Sequence, residues 1–252
     1  MTHPFDLTGK LAIVTGAKRG IGYAMAEALA AAGANIVGVS ATIEPEGSAI
    51  GAAVIAHGRS FEARAVDFAD RDAVLALGSE LEARAPDILV NNAGTIERAP
   101  AIEHPLASWD RVLQIDLTSQ FILSQALARP MIARGYGKVI FTASLLSFQG
   151  GINVPGYTAA KSGVAGLTKA LSNEWAHFGV NVNAIAPGYI ATDNTQALRD
   201  DPVRNRSILD RIPAGRWGQP SDLSGATVFL ASAASDYVNG ITLPVDGGWL
   251  GR

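Results

Sequence analysis

Tyr157, Lys161 and Ser144 are the residues whose types and spacing best suit chemistry in this sequence. Tyr157 and Lys161 lie four residues apart in a stretch with helical periodicity, which places both side chains on one helix face. An ammonium held near a phenol favours the phenolate, so Tyr157 can act as an acid or base near neutral pH. Ser144 lies thirteen residues before Tyr157, after a predicted strand, and its hydroxyl can hydrogen-bond a carbonyl oxygen as charge develops there. Each residue alone also fits an ordinary surface or turn position, whereas the three together favour proton transfer at an alcohol or ketone carbon.

A glycine-rich loop follows the first predicted strand and leads into a predicted helix, with glycines at Gly16, Gly20 and Gly22 around Arg19 and Ile21. Glycines allow close backbone approach, and the free amides at a helix start favour a pyrophosphate. The spacing departs from G-x-G-x-x-G, and a loop of this kind can also be only a tight connection. Its place directly after the first strand favours a dinucleotide cradle.

Further candidate cofactor contacts follow other predicted strands. The second predicted strand is followed by Ser40 and lacks the acid that commonly binds a ribose 2′-hydroxyl. Arg19 in the glycine loop could instead pair with a 2′-phosphate, and this pairing would favour NADP. Asp67 and Phe68 could accept from the adenine amino group, with helix capping by Asp67 or Asp70 as an equal alternative. The remaining candidates lie in segments that could line the cofactor groove or simply form turns: Asn92, Ala93, Gly94, Pro187, Gly188, Ile190 and Thr192.

The elements that must position these residues alternate between short apolar runs and longer helical patterns. We predict strands at 11–15, 35–39, 60–66, 88–91, 138–142, 181–185 and 241–245, and helices at 21–32, 71–84, 119–134, 157–178 and 220–231. Strands without polar alternate positions predict a parallel sheet covered on both faces. We therefore expect an α/β Rossmann fold with a doubly wound, seven-stranded parallel sheet in one domain spanning 1–252. The segment 193–219 is the best candidate for a mobile insertion over the site.

Composition argues against several classes of protein. The 252 residues carry a net charge of −3, which gives no broad basic field for nucleic acid or anionic lipid. There is no cysteine, and the four histidines are too scattered for a zinc site, so we expect no metal. The start has no apolar core of a signal peptide, and no apolar run approaches the roughly 18 residues that cross a bilayer. We expect a cytoplasmic protein without nucleic-acid or membrane partners.

The motifs together resemble the short-chain dehydrogenase/reductase family over essentially the whole chain. The matching residues are the loop ending Gly20-Ile21-Gly22, the run Asn91-Asn92-Ala93-Gly94, Ser144 with Tyr157 and Lys161, and the Pro187-Gly188 turn. The resemblance implies that Tyr157 gives or takes the proton, that Lys161 also holds the nicotinamide ribose, and that Ser144 polarises the substrate. It also implies a homotetramer.

Runs in the second half, such as Arg211-Ile212-Pro213-Ala214-Gly215-Arg216-Trp217-Gly218, look like a sugar-acid branch of that family. The branch implies a substrate such as 2-keto-3-deoxygluconate or gluconate, and it favours NAD over NADP. Arg98 and Gln149 are our candidates for binding the substrate carboxylate. The alternatives are a reductase of 3-oxoacyl groups on a carrier protein and a nucleotide-sensing scaffold without catalysis.

Asp116 departs from the family pattern. The family ordinarily has asparagine at this position, and that residue is thought to hold a water that relays protons to the lysine. Aspartate has the same shape as asparagine, but it brings a charge and offers no amide donor. We expect Asp116 still to order this water and to shift the pH optimum.

Overall fold

The computed structural model describes residues 3–252 and is organised around one sheet of seven parallel strands. The strand order is β3-β2-β1-β4-β5-β6-β7. The strands are β1 (Leu11–Thr15), β2 (Asn35–Val39), β3 (Phe61–Arg64), β4 (Ile88–Asn91), β5 (Gly137–Thr142), β6 (Val180–Pro187) and β7 (Thr242–Val245). The predicted fold class is confirmed, and the predicted strands match in place with ends that differ by up to two residues.

Helices cover both faces of the sheet. They are α1 (Gly20–Ala31), α2 (Ala49–Ala56), α3 (Arg71–Glu82), α4 (Leu106–Leu113), α5 (Ser119–Arg134), α6 (Pro155–Trp175), α7 (Gln196–Asp200), α8 (Pro202–Leu209) and α9 (Ser224–Ala231). One core layer packs α3, α5 and α6 against the sheet, and the other packs α1, α2 and α9. In β1, Ile13 enters the first layer while Ala12 and Val14 enter the second. Both faces of the strand are therefore buried, which explains its continuous apolar sequence.

Two departures from the predicted elements have physical reasons. Helix α2 was not predicted because its sequence, AIGAAVIA, is apolar on all sides and has no amphipathic period. Between α4 and α5 the chain forms a wider, π-helical turn at Gln114–Thr118, which carries Asp116. Such turns are rare and are frequent at functional sites.

The strand order reverses between β1 and β4, which are neighbours in the sheet although two strands separate them in sequence. In sheets of this type, ligands bind in the crevice beyond the carboxyl ends of the strands at this point. The segment 193–219 also lies beyond these ends, and it contains the short helices α7 and α8 rather than an open loop. Within residues 3–252, no helix combines the length and apolarity needed to cross a membrane.

Candidate active site

The glycine loop between β1 and α1 presses against the end of β4. Gly16 has a φ of +70°, and a Cβ at this position would lie 2.7 Å from Asn92 Nδ2 and 3.1 Å from Ala93 Cα. Helix α1 then begins at Gly20 with no side chain capping its first amides. These amides are available to an anion, and together with the close backbone approach they fit the pyrophosphate of a dinucleotide.

Asn92 ties together the carboxyl ends of three strands. Its Nδ2 donates to Thr15 O at 3.0 Å, and its backbone N–H donates to Thr15 Oγ1 at 2.9 Å. Its Oδ1 accepts from Thr142 Oγ1 at 3.3 Å, while Ala93 N–H also donates to Thr15 Oγ1 at 2.9 Å. The floor of the crevice between β1, β4 and β5 is therefore held by one amide side chain.

Each cation of the glycine loop has a carboxylate partner. Lys18 Nζ contacts Glu44 Oε1 at 2.6 Å, and Arg19 Nη1 contacts Asp193 Oδ2 at 3.0 Å. The Lys18 backbone N–H donates to Ser40 Oγ at 3.2 Å, which places Ser40 against the loop as predicted for a residue after β2. Glu44 was missed in the sequence because it lies five residues beyond the end of β2, on the connection to α2.

The segment after β3 uses its polar groups locally. Asp67 Oδ1 accepts from Ala69 N–H at 2.9 Å, and Asp70 Oδ1 caps α3 by accepting from Ala73 N–H at 3.0 Å. Phe68 is buried, and its carbonyl accepts from Ser119 Oγ at 2.8 Å. The capping alternative is confirmed for Asp70, while the adenine contact of Asp67 and Phe68 stays a prediction.

Helix α6 and the end of β5 bring Tyr157, Lys161 and Ser144 to the same edge of the sheet. Lys161 Nζ donates to Thr142 O at 2.9 Å and lies 5.5 Å from the centroid of the Tyr157 ring. Ser144 starts the tight turn after β5, and Ser147 Oγ in that turn donates to Lys161 O at 2.6 Å. This hydrogen bond links the turn that begins at Ser144 to helix α6, which carries Tyr157 and Lys161.

Asp116 contacts Lys161 directly from the π-helical turn. Its Oδ2 forms an ion pair with Lys161 Nζ at 3.4 Å. Its Oδ1 accepts from Thr95 N–H at 2.7 Å, and the side chains of Asp116 and Lys161 are 0% and 3% exposed. Burial raises the pKa of Asp116, and the Lys161 charge and the Thr95 amide oppose this rise without cancelling it. The lysine head is therefore fixed between a carbonyl oxygen, a carboxylate and the phenol ring.

The turn after β6 closes the crevice from the other side. Gly188 N–H donates to Val245 O at 2.9 Å, and the following Ile190 is buried. Thr192 approaches the glycine loop, since a Cβ on Gly20 would lie 3.6 Å from Thr192 Cγ2. Thr192 therefore lies against the predicted cradle, and Asp193 continues this contact through Arg19, while the cofactor contacts of Pro187, Gly188 and Ile190 stay predictions.

The two residues expected to bind a carboxylate have different surroundings. Arg98 is exposed, and its Nη2 donates to Asn194 O at 3.2 Å. Gln149 is half-buried, and its Oε1 accepts from the indole Nε1 of Trp249 at 3.3 Å. Trp249 was missed in the sequence because it lies 100 residues beyond Gln149, and nothing local marks this contact.

Trp249 belongs to a third hydrophobic cluster, which we call the roof cluster. Its buried members are Leu145, Ile208, Ile212 and Trp249, with Tyr189, Leu198, Trp217 and Leu250 packed against them. These residues come from the turn after Ser144, the turn after β6, the segment 193–219 and the end of the chain. The roof cluster therefore joins the segments that follow the carboxyl ends of β5, β6 and β7.

Comparison with known proteins identifies the relatives of this chain. The family model described as Enoyl-(Acyl carrier protein) reductase matches residues 16–250. The 2-dehydro-3-deoxy-D-gluconate 5-dehydrogenase of Pseudoalteromonas atlantica is 60% identical over 100% of both chains. A structure from Agrobacterium tumefaciens, named as a candidate 2-deoxy-D-gluconate 3-dehydrogenase with bound NADP, is 53% identical, with a TM-score of 0.94 and 100% of both chains covered.

A second solved structure adds a ligand to the comparison. The gluconate 5-dehydrogenase of Burkholderia cenocepacia, in complex with NADP and tartrate, is 42% identical, with a TM-score of 0.92 over 99% of this chain and 98% of that chain. Sequence identity, complete coverage and fold all agree with the resemblance stated from the motifs. The chain therefore belongs to the short-chain dehydrogenase/reductase family and is an NAD(P)-dependent oxidoreductase.

Proposed function

We propose that this chain oxidises a secondary hydroxyl of a sugar acid, with 2-dehydro-3-deoxy-D-gluconate as the first candidate and gluconate as the second. The observation that carries the proposal is the position of Lys161 Nζ, 2.9 Å from Thr142 O, 3.4 Å from Asp116 Oδ2 and 5.5 Å from the Tyr157 ring centroid. The sugar-acid substrate is supported by the names of the relatives that are similar over their whole length.

The proposed mechanism assigns one task to each side chain. Tyr157 takes the hydroxyl proton of the substrate through its phenol oxygen, and Lys161 stabilises the phenolate with its charge. Ser144 donates a hydrogen bond to the substrate oxygen while the carbonyl forms. Asp116 fixes the lysine head from the π-helical turn. A bound nicotinamide supplies the hydride acceptor, and the protein contributes position and electrostatics.

The crevice fits a dinucleotide because its cradle has space only for glycine at Gly16 and because the first amides of α1 are uncapped. We assign the pyrophosphate to the glycine loop and the ribose of the nicotinamide to Tyr157 and Lys161. The other proposed cofactor contacts are those predicted from the sequence: Arg19, Ile21, Ser40, Asp67, Phe68, Asn92, Ala93, Gly94, Pro187, Gly188, Ile190 and Thr192.

We further propose that NAD is preferred over NADP. In support, Lys18 and Arg19 are both engaged by carboxylates, Glu44 at 2.6 Å and Asp193 at 3.0 Å. A 2′-phosphate would meet the Glu44 charge near the end of β2 and would have to compete for both cations. The two related structures compared above both hold NADP, so both cofactors must be assayed with each substrate.

The proposed substrate contacts are Ser144 at the reacting oxygen and Gln149 and Arg98 at the carboxylate. Gln149 is supported by its amide orientation, because an indole N–H can only donate and therefore faces Oε1. Arg98 is supported by its contact with Asn194 O, which holds it against the segment that covers the crevice.

A homotetramer is also part of the proposal. Leu117, Phe121 and Leu167 form an apolar groove between α5 and α6 together with the small residues Gly163, Gly166 and Ala170. Phe121 is 37% exposed although it is a large apolar side chain, which suits burial against another copy of the chain. A cytoplasmic location stays a prediction, which cell fractionation can check.

The test is a substrate panel read by cofactor absorbance, with NAD and NADP assayed separately. We expect oxidation of sugar acids, with little activity on neutral polyols or 3-oxoacyl thioesters, and a loss of about 10³-fold or more in kcat for Tyr157→Phe. Preferred turnover of the thioesters would replace the sugar-acid assignment by the acyl reductase. Cofactor binding without turnover of any substrate would favour the nucleotide-sensing scaffold.

A further inference from the structure

Trp249 connects two groups that suit a carboxylate. The indole Nε1–H donates to Gln149 Oε1 at 3.3 Å, and the Arg211 guanidinium carbon lies 4.0 Å from the centroid of the indole ring. Gln149 therefore meets the edge of the indole, and Arg211 covers its face. One aromatic side chain positions an amide and a cation that lie 62 residues apart in sequence.

The indole determines which end of the Gln149 amide is free. Because an indole N–H has no acceptor lone pair, the oxygen of the amide must face it, and the Nε2 group points elsewhere. Nε2 makes no hydrogen bond to any group in residues 3–252, so its donors are open to a ligand. A ligand here must supply acceptor oxygens.

Arg211 adds a charge without a partner. Its side chain is exposed, and no carboxylate among the described residues lies within 4.0 Å of it, whereas Arg206 and Arg216 each contact an acid. Stacking on the indole restricts the guanidinium while leaving its N–H donors free. An unpaired guanidinium and an unpaired amide donor on one indole are suited to an anion that accepts from both.

The indole itself is firmly held. Trp249 is 4% exposed, and its ring packs on Tyr189 at a centroid distance of 4.7 Å. Gly247 and Gly248 turn the chain back after β7, and Asp246 accepts from the backbone N–H groups of Gly248 and Leu250 at 2.8 and 2.9 Å. The turn and the roof cluster therefore fix the ring before any ligand arrives.

We propose that Trp249, Gln149 and Arg211 form the carboxylate subsite of the sugar-acid substrate, with Trp249 as the positioning residue. The proposal rests on the proposed function, and it adds Trp249 and Arg211 to the substrate contacts. Gln149 lies in the segment that begins at Ser144, so the subsite is next to the reacting end of the crevice. In a sugar acid oxidised at carbon 5, four bonds separate that carbon from the carboxylate carbon, so the subsite lies beside the reacting hydroxyl rather than at it.

The test compares gluconate with sorbitol, which has the hydroxyls of gluconate and no carboxylate. We expect Trp249→Phe, which keeps a ring and removes the N–H, to raise KM for gluconate about tenfold with kcat nearly unchanged. Gln149→Leu should have the same effect, and the double variant should be no worse than either single one. Arg211→Ala should raise KM for gluconate at least as much. The low kcat/KM for sorbitol, and KM for NAD, should stay within about twofold of the wild-type values.

Trp217→Phe is the matched control. Trp217 also belongs to the roof cluster; its indole donates a hydrogen bond to Asn205 Oδ1 at 2.8 Å and packs edge-on against Tyr189. It does not contact Gln149, so KM for gluconate should not change. Equal effects of Trp217→Phe and Trp249→Phe would mean that only cluster packing was measured, and the subsite would be rejected. If Trp249→Phe does not fold, comparison of Gln149→Leu with Trp217→Phe tests the subsite in its place.

Calorimetric titration of tartrate into the NADH-bound enzyme separates this proposal from the proposed function. If the wild-type chain oxidises no sugar acid, the proposed function is wrong, and tartrate binding alone decides the subsite. Binding that is weakened about tenfold by Trp249→Phe and by Arg211→Ala supports the subsite. Absence of wild-type binding, or equal binding by wild type and variants, overturns it.

Discussion

Replacement of Gly16 by alanine tests whether the glycine loop is built against Asn92. The new Cβ would lie 2.7 Å from Asn92 Nδ2 and 3.1 Å from Ala93 Cα, both shorter than ordinary contacts. Asn92 cannot move freely, because its Nδ2 donates to Thr15 O at 3.0 Å. The alanine must therefore break this hydrogen bond or displace the loop, in addition to adopting a φ of +70°.

The cost has two parts, and Gly58→Ala isolates one of them. Gly58 has the same φ of +70°, but nothing lies within 4 Å of its Cβ position. Both variants carry the left-handed strain of about 1–2 kcal/mol, partly offset by a less flexible unfolded chain. Only Gly16→Ala also deprives the half-buried Asn92 amide of its partner, which adds about 1–3 kcal/mol. The free energies of unfolding should therefore differ by about that amount, which corresponds to roughly 2–12 °C in Tm.

Thermal unfolding and fluorescence titration of NAD, applied to both variants, provide the measurement. We expect Gly16→Ala to weaken NAD binding at least about tenfold, because the cradle backbone shifts, and Gly58→Ala to leave it unchanged. Equal losses of stability in the two variants would show that Gly16 is needed only for its backbone angle. Unchanged NAD affinity in a folded Gly16→Ala variant would refute the placement of the pyrophosphate on this loop.

Three further variants test separate contacts. Burial raises the pKa of Asp116. The folded chain therefore binds the Asp116 proton more tightly than the unfolded chain does. As a result, stability is lost as the pH rises from the ordinary aspartate pKa of about 3.9 through the raised pKa. Asp116→Asn should therefore gain in Tm over the parent chain across that window, and parallel Tm profiles against pH would contradict this. Glu44→Gln frees Lys18 and should raise the ratio of kcat/KM with NADP to kcat/KM with NAD about two- to tenfold. An unchanged ratio would show that Glu44 does not influence the choice of cofactor. Phe121→Glu should reduce the molar mass measured by light scattering, and an unchanged mass would remove the apolar groove from the proposed assembly.

Much of the site could be predicted because its signals are local. Most strands of the sheet are short apolar runs, the Tyr157 and Lys161 pair follows from helical spacing, and the glycine loop directly follows β1. The structure places the glycine loop and this pair at the same edge of the sheet, as expected.

The rest depends on contacts that no local pattern records. Lys18 meets Glu44 only because the connection from β2 to α2 folds back on the glycine loop. The expected ordering of a relay water by Asp116 stays a prediction, but the direct contact of its carboxylate with Lys161 Nζ, at 3.4 Å, was not foreseen. This closeness is set by the π-helical turn, which shifts the side chains of a helix and has no known signature in this sequence.

The roof cluster is separate from the two core layers that hold the sheet together. Residues such as Ile208 and Leu198 can therefore be exchanged without disturbing the strands on which Asn92 and Lys161 depend. Evolution or laboratory selection can therefore remodel the roof cluster and change which substrates bind in the crevice, while the glycine loop and Asn92 keep their positions. A library confined to Leu198 and Ile208 should yield many folded variants with altered selectivity and intact cofactor affinity.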